Sequence, residues 1–119
     1  MNRLLFTTAA LVLGAAVAAS EPPPAPERLS HGRFENVSVY LPAGTPKSAV
    51  LLLSGREGWN PRAAELAEAL ARHGALVAGI DLPRLAANLE ADDGDCVFPD
   101  GDLENLSHFI QAYHHVPTY

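Results

Sequence analysis

The 119-residue sequence has one cysteine, Cys96, so no internal disulfide can hold the chain and its stability must come from packing. It has no Lys or Arg after Arg84, and it carries 14 Asp and Glu against 8 Lys and Arg, a net charge of −6. A field of that sign repels nucleic acid and anionic lipid headgroups, so neither is expected as a partner of the bare surface. No apolar run reaches the ~20 residues that a membrane-spanning helix needs. The glycine pattern G-x-G-x-x-G of dinucleotide sites is missing, as is the Gly-Lys-Ser/Thr of a phosphate-binding loop. No internal repeat is evident.

What is present begins with an export signature. Arg3 is followed by the Ala- and Leu-rich stretch Leu4 to Val17, and Ala16-Val17-Ala18 offers small residues where a signal peptidase reads. Residues 1–19 are therefore expected to be a secretory signal and the protein to be periplasmic. No cysteine follows the small residues, which argues against a lipid anchor. Cleavage would remove one cation, Arg3, and move the charge from −6 to −7. Residues 20–32, with four prolines between Glu21 and Pro26, read as an extended linker, and residues 33–119 as the folded domain.

Within that domain Val37, Val39 and Leu41 alternate with Ser38 and Tyr40, as in an edge or near-edge strand. Gly44 and Pro46 then turn the chain into the central pattern. Ala49 to Leu53 and Ala75 to Ile80 have the unbroken apolar character of parallel strands covered on both faces. Between them Ala63, Leu66, Ala67, Leu70 and Ala71 recur on one helix face, with Asn60 as cap, Pro61 at the first position and Gly74 beyond the end. After Asp81 the pattern weakens: Leu82 to Ala91 could form short helical turns, and the seven acids from Glu90 to Glu104 read as mostly solvated loop. Leu103, Leu106, Phe109, Ile110 and Tyr113 define a last helix face, with Asp100 or Asp102 as cap and His114 and His115 at the negative end. The expected fold class is α/β: about three strands, mostly parallel, with two main helices, incomplete at the C-terminus.

Chemistry concentrates in Ser54-Gly55-Arg56-Glu57-Gly58-Trp59, between a strand end and a helix start, where open α/β sheets place ligands. Strand, glycine loop, helix, strand and Asp81 follow the order of a dinucleotide-binding unit, but Trp59 and Pro61 stand where short-chain dehydrogenases would carry glycines. An α/β-hydrolase layer is the better reading, with the loop supplying backbone N–H groups of Gly55, Arg56, Glu57 or Gly58 to an oxyanion hole. Ser54 lacks the flanking glycine of a nucleophile elbow, and Cys96 lacks both a preceding strand and a second glycine. His108, His114 and His115 do not have the i, i+4 spacing of helical zinc ligands, and Asp92, Asp93 and Asp95 lack the spacing of a calcium loop. No catalytic side chain, resident metal or cofactor is expected.

Leu51 to Gly55, Gly58-Trp59, Val77 to Asp81 and Cys96 to Glu104 together resemble the bacterial virulence protein family of VirJ and AcvB, from about Phe34 onward. The resemblance implies a periplasmic α/β-hydrolase fold, a link to virulence and type IV secretion, and partners among periplasmic or secretion-system proteins. For the AcvB branch it also implies serine hydrolysis of an aminoacylated phospholipid such as lysyl-phosphatidylglycerol. The family's nucleophile lies on a G-x-S-x-G-like elbow after the next strand, which these residues do not include, so the chain is expected to be a truncated relative without hydrolysis of its own. Arg56-Glu57 also replaces the Asp-Gly of the family loop. The alternative is a periplasmic binding or scaffold module that uses its sheet edge and acidic segment.

Overall fold

The computed structural model describes Gly14, residues 25–91 and residues 99–118. Apart from Gly14, the stretch read as a signal lies outside them, as do Asp92, Asp93, Asp95 and Cys96. Among the described residues one four-stranded sheet is built from β1 (Glu27–His31), β2 (Phe34–Tyr40), β3 (Ser48–Leu53) and β4 (Ala75–Ile80). Three helices accompany it: α1 (Pro61–Arg72), α2 (Leu82–Ala91) and α3 (Pro99–Tyr113).

The spatial order is β1-β2-β4-β3. The expected parallel pair is there, with Ser48 opposite Ala75 and Leu53 opposite Ile80. The rest of the sheet is not parallel. β1 and β2 form an antiparallel hairpin through Gly32-Arg33, with Gly32 at φ 57°, and β2 runs antiparallel to β4. The reason is the connection Pro42–Lys47, which reverses direction across the width of one strand and is too short for the crossover that a parallel neighbour requires. β4 fills the gap, and the Lys47 N–H donates to the Gly74 carbonyl at its entrance (2.8 Å).

β1 lies inside the stretch read as linker. Only Leu29 among its five residues is apolar, so its place in the sheet comes from the hairpin rather than from its own pattern. β3, expected to be covered on both faces, is instead the outer strand among the described residues, and Leu53 is 40% exposed.

Strand alternation divides the core in two. On one face Tyr40, Ala75 and Val77 meet Ala67 and Ala71 of α1, with Trp59 alongside. On the other, Val37, Val39, Leu76, Ala78 and Ile80 meet Leu85 of α2 and Leu106 and Ile110 of α3. Two side chains assigned to helix inner faces are outside the core: Leu66 is 51% and Tyr113 60% exposed.

Cap chemistry of α1 is as the sequence suggests. Asn60 Oδ1 accepts from the Ala63 N–H at 2.9 Å, Pro61 opens the helix, and Gly74 beyond the cap takes φ 97°. Segment 82–91 is a full ten-residue helix, where only short turns were expected. It needs no broad apolar face, because Asp81 caps it and Leu85 and Leu89 anchor it one turn apart. In α3, Asp100 and Asp102 stand within the first turn rather than at the cap. Asp102 instead pairs with Arg33 of the hairpin turn at 2.8 Å, while Asn88 of α2 donates to the Arg33 carbonyl at 2.8 Å. Arg84 and Glu35 add a third tie at 3.0 Å, so the hairpin turn is held by both helices on that face. No helix among the described residues is long and apolar enough to cross a membrane.

Candidate functional site

The parallel pairing of β3 and β4 brings two chain ends together at their carboxyl side. Ser54 follows β3 and Asp81 follows β4, and the Ser54 N–H donates to the Ile80 carbonyl at 2.9 Å. The loop Ser54–Asn60 leaves from this point and delivers the chain to the N-terminus of α1.

Ser54 is buried and fully engaged. Its hydroxyl donates to the Gly55 carbonyl at 3.1 Å and accepts from the Leu82 N–H at 2.9 Å, which joins the end of β3 to the first turn of α2. With its proton committed to a carbonyl rather than to a base, Ser54 is a structural residue at a strand end.

Asp81 is the centre of the arrangement. One carboxylate oxygen accepts from the Trp59 N–H at 2.9 Å, the other from the Arg84 N–H at 3.0 Å. These two backbone donors, Trp59 first, hold its carboxyl below the ordinary carboxylate range, with the Arg84 charge adding to them and partial burial opposing. A carboxylate so occupied does not present itself to a ribose hydroxyl, which counts further against a dinucleotide site. Gly58 is required beside it: at φ 84° it has a conformation L side chains rarely adopt, and a Cβ there would stand 3.0 Å from Asp81 Oδ2.

Trp59 is the loop's hydrophobic plug. Its indole lies over Gly79 of β4, in space that any Cβ at position 79 would fill, and its centroid is 6.3 Å from that of Tyr40.

The four residues expected to supply oxyanion donors fare differently. Gly58 donates its N–H to the Gly55 carbonyl at 3.1 Å, closing a turn, and that donor is spent. Gly55, Arg56 and Glu57 are exposed, and among the described residues the Arg56 and Glu57 N–H groups have no hydrogen-bond acceptor. Neither side chain forms an ion pair with another described residue. Glu57 also has negative φ, so replacing a glycine there imposes no left-handed strain. The turn therefore leaves two backbone donors, on exposed residues, without an acceptor among the described residues, at the carboxyl ends of two parallel strands. Beside it an open groove of about 500 Å³ runs between β3 and α1, lined by Leu52, Leu53, Ala63 and Leu66, with Arg62 at its mouth.

Of the histidines considered as ligands, His108 is exposed, and His114 Nε2 is buried 3.6 Å from Glu27 of β1. No group of three or more His, Cys, Asp and Glu side chains able to hold a metal occurs among the described residues.

The clamp made by Asp81 escaped the sequence analysis, because its partner Trp59 is 22 residues away. A local signal was available: an acid followed by Leu82-Pro83 reads as a helix cap with proline in the first turn. The clamp predicts a specific acid response. A carboxyl held low in the folded state contributes stability that is fully present above its unfolded value, ~3.9, and is lost as pH falls through the lower folded value. Asp81→Ala should remove about 1–2 kcal/mol at neutral pH, the worth of a cap and a second charge-assisted bond. Urea titrations at pH 7 and pH 3 check this, and the difference between the two chains should shrink at the lower pH.

The chain matches no protein-family description, no curated protein and no solved structure.

Proposed function

We propose that the protein is an exported, VirJ/AcvB-like α/β-hydrolase layer whose loop after β3 contributes the oxyanion side of a site. The observation that carries this reading is the turn at Arg56 and Glu57. It follows the third strand, it leads into the helix after that strand, and it leaves the Arg56 and Glu57 N–H groups without an internal acceptor, as a loop serving an acyl-transfer site must. The sheet order supports it as well: an antiparallel hairpin followed by a crossed β4-β3 pair is how α/β-hydrolase sheets begin. The full-length relatives suggest the substrate class, an aminoacylated phospholipid such as lysyl-phosphatidylglycerol, and a setting in the periplasm near a type IV secretion system.

Sequencing the DNA beyond codon 119 tests the reading. A G-x-S-x-G motif between strand and helix patterns is expected there, and unrelated sequence would overturn it. A polypeptide carrying that motif should release lysine from vesicles of lysyl-phosphatidylglycerol, and replacing the serine of the motif by alanine should abolish the release.

A further inference from the structure

Among the described residues β1 pairs with β2 alone, so what else holds it down is its seam with α3. Three of its residues face that helix. Leu29 joins the core, the His31 imidazole stacks on the Phe109 ring with centroids 4.1 Å apart, and Glu27 Oε2 lies 3.6 Å from His114 Nε2. His114 is the costly member. Its side chain is 12% exposed, and Nε2 is buried without a hydrogen-bond partner. In one neutral tautomer Nε2 turns a lone pair toward the Glu27 carboxylate; in the other it turns an N–H toward it from beyond hydrogen-bond distance. Only the imidazolium meets Glu27 with an opposite charge, and it does so just past the last turn of α3, where the helix dipole favours a cation.

We propose that this seam is a pH-responsive clasp: protonation of His114 and His31 tightens β1 onto α3, and loss of those protons lets β1 open more often. Both sites gain from the charge. The His114 imidazolium pairs with Glu27, and a protonated His31 lies over an aromatic face, which attracts a cation within ~6 Å of its centre. The other charged groups nearby are paired, in solvent or on another face. Arg33, two residues after His31, is neutralised by Asp102 of α3, and Arg28 alternates to the far side of β1. His108 and His115 of α3 are exposed, and Tyr113 meets His114 edge-on at 5.0 Å. On α2, Arg84 is tied to Glu35 and Glu90 is exposed. β2 sets Val39 opposite Glu27 and Val37 opposite Leu29, and β3 and β4 carry no acidic or basic side chain. The two imidazoles sit at opposite ends of β1, four residues or roughly 13 Å apart, so their mutual repulsion is largely screened. The clasp is independent of the hydrolase reading.

A histidine whose charged form gains a partner on folding contributes stability that is full below its unfolded value, ~6.5, and is lost as pH rises. Hydrogen exchange resolved at single amides tests the clasp, read as protection factors so that the intrinsic pH dependence of exchange cancels. Protection of the β1 amides relative to those of β4 should be about fivefold higher at pH 5.5 than at pH 7.5. Glu27→Gln combined with His31→Phe, which keeps the stack without the charge, should remove that difference, whereas His108→Gln at an exposed position should leave it intact. An equal ratio at both pH values, a ratio that rises with pH, or a pH dependence that survives the double substitution would overturn the proposal. Should the double variant fail to fold, Glu27→Gln alone decides: it should lose about half of the difference, and an undiminished difference would overturn the clasp.

Discussion

Gly79→Ala should destabilise the protein by about 2–3 kcal/mol, at the upper end of what overpacking a core costs. The added Cβ would lie 2.3 Å from the far carbon of the Trp59 indole and under 3.0 Å from two of its neighbours. The ring cannot yield in place. The Trp59 backbone is fixed by Asp81, the indole packs on the α1 side of the core beside Tyr40, and position 79 lies in a strand paired on both sides. Relief requires the indole to leave its seat, which uncovers Tyr40 and Val77 and loosens the loop. The damage should therefore reach both stability and the geometry of the Arg56-Glu57 turn. A double-mutant cycle isolates the cause. Trp59→Ala alone also destabilises, but adding Gly79→Ala to it should cost far less than in the unsubstituted chain, because the clash has gone. Equal costs in the two backgrounds would mean that the indole is not what position 79 accommodates. Urea midpoints measure this.

A loss of about 3 kcal/mol is expected for Leu106→Ala. Leu106 is 0% exposed and is the innermost residue of α3, packed in the cluster with Val37, Val39, Leu76 and Ile80. Truncation removes its transfer free energy and leaves a cavity that sheet and helix cannot close without moving apart. α3 has few substitutes for it: its other fully apolar buried residue is Ile110, and the buried Gln111 spends its amide on Ser107 one turn earlier. For a domain of this size the loss corresponds to a fall in Tm of roughly 12–24 °C. His108→Ala on the exposed side of the same helix should stay within about 0.5 kcal/mol. A similar penalty at both positions would mean that the burial of Leu106 is not the cause, since alanine favours the helix at either position.

How far the sequence could be read follows from how local each signal was. The β3-α1-β4 unit was legible because its evidence lies within the unit: two unbroken apolar runs, a helix face between them, and Asn60, Pro61 and Gly74 at the boundaries. The hairpin partner β1 was not, since a strand with one apolar residue is specified by what it pairs with. The direction of β2 was hidden for a related reason, because its neighbour β4 enters only after β3 and α1. α2 escaped a test based on broad amphipathicity, being fixed by a cap and two leucines. At the site, loop composition located the turn and raised its four candidate donors. Which of them remain available was set by the bond from the Gly58 N–H to the Gly55 carbonyl, which spacing alone does not reveal.

The order β1-β2-β4-β3 also fixes when the sheet can assemble. During synthesis the hairpin of β1 and β2 can close as soon as it emerges, but β2 and β3 have no native contact ladder with each other. Both wait for β4, which must insert between them. At a ribosomal pace of ~5–20 residues per second, the apolar strand Ala49–Leu53 stays without its partner for a few seconds before Ile80 is made. The same strand that later forms the outer margin of the sheet among the described residues is thus an apolar segment of the nascent chain that needs protection until β4 is made.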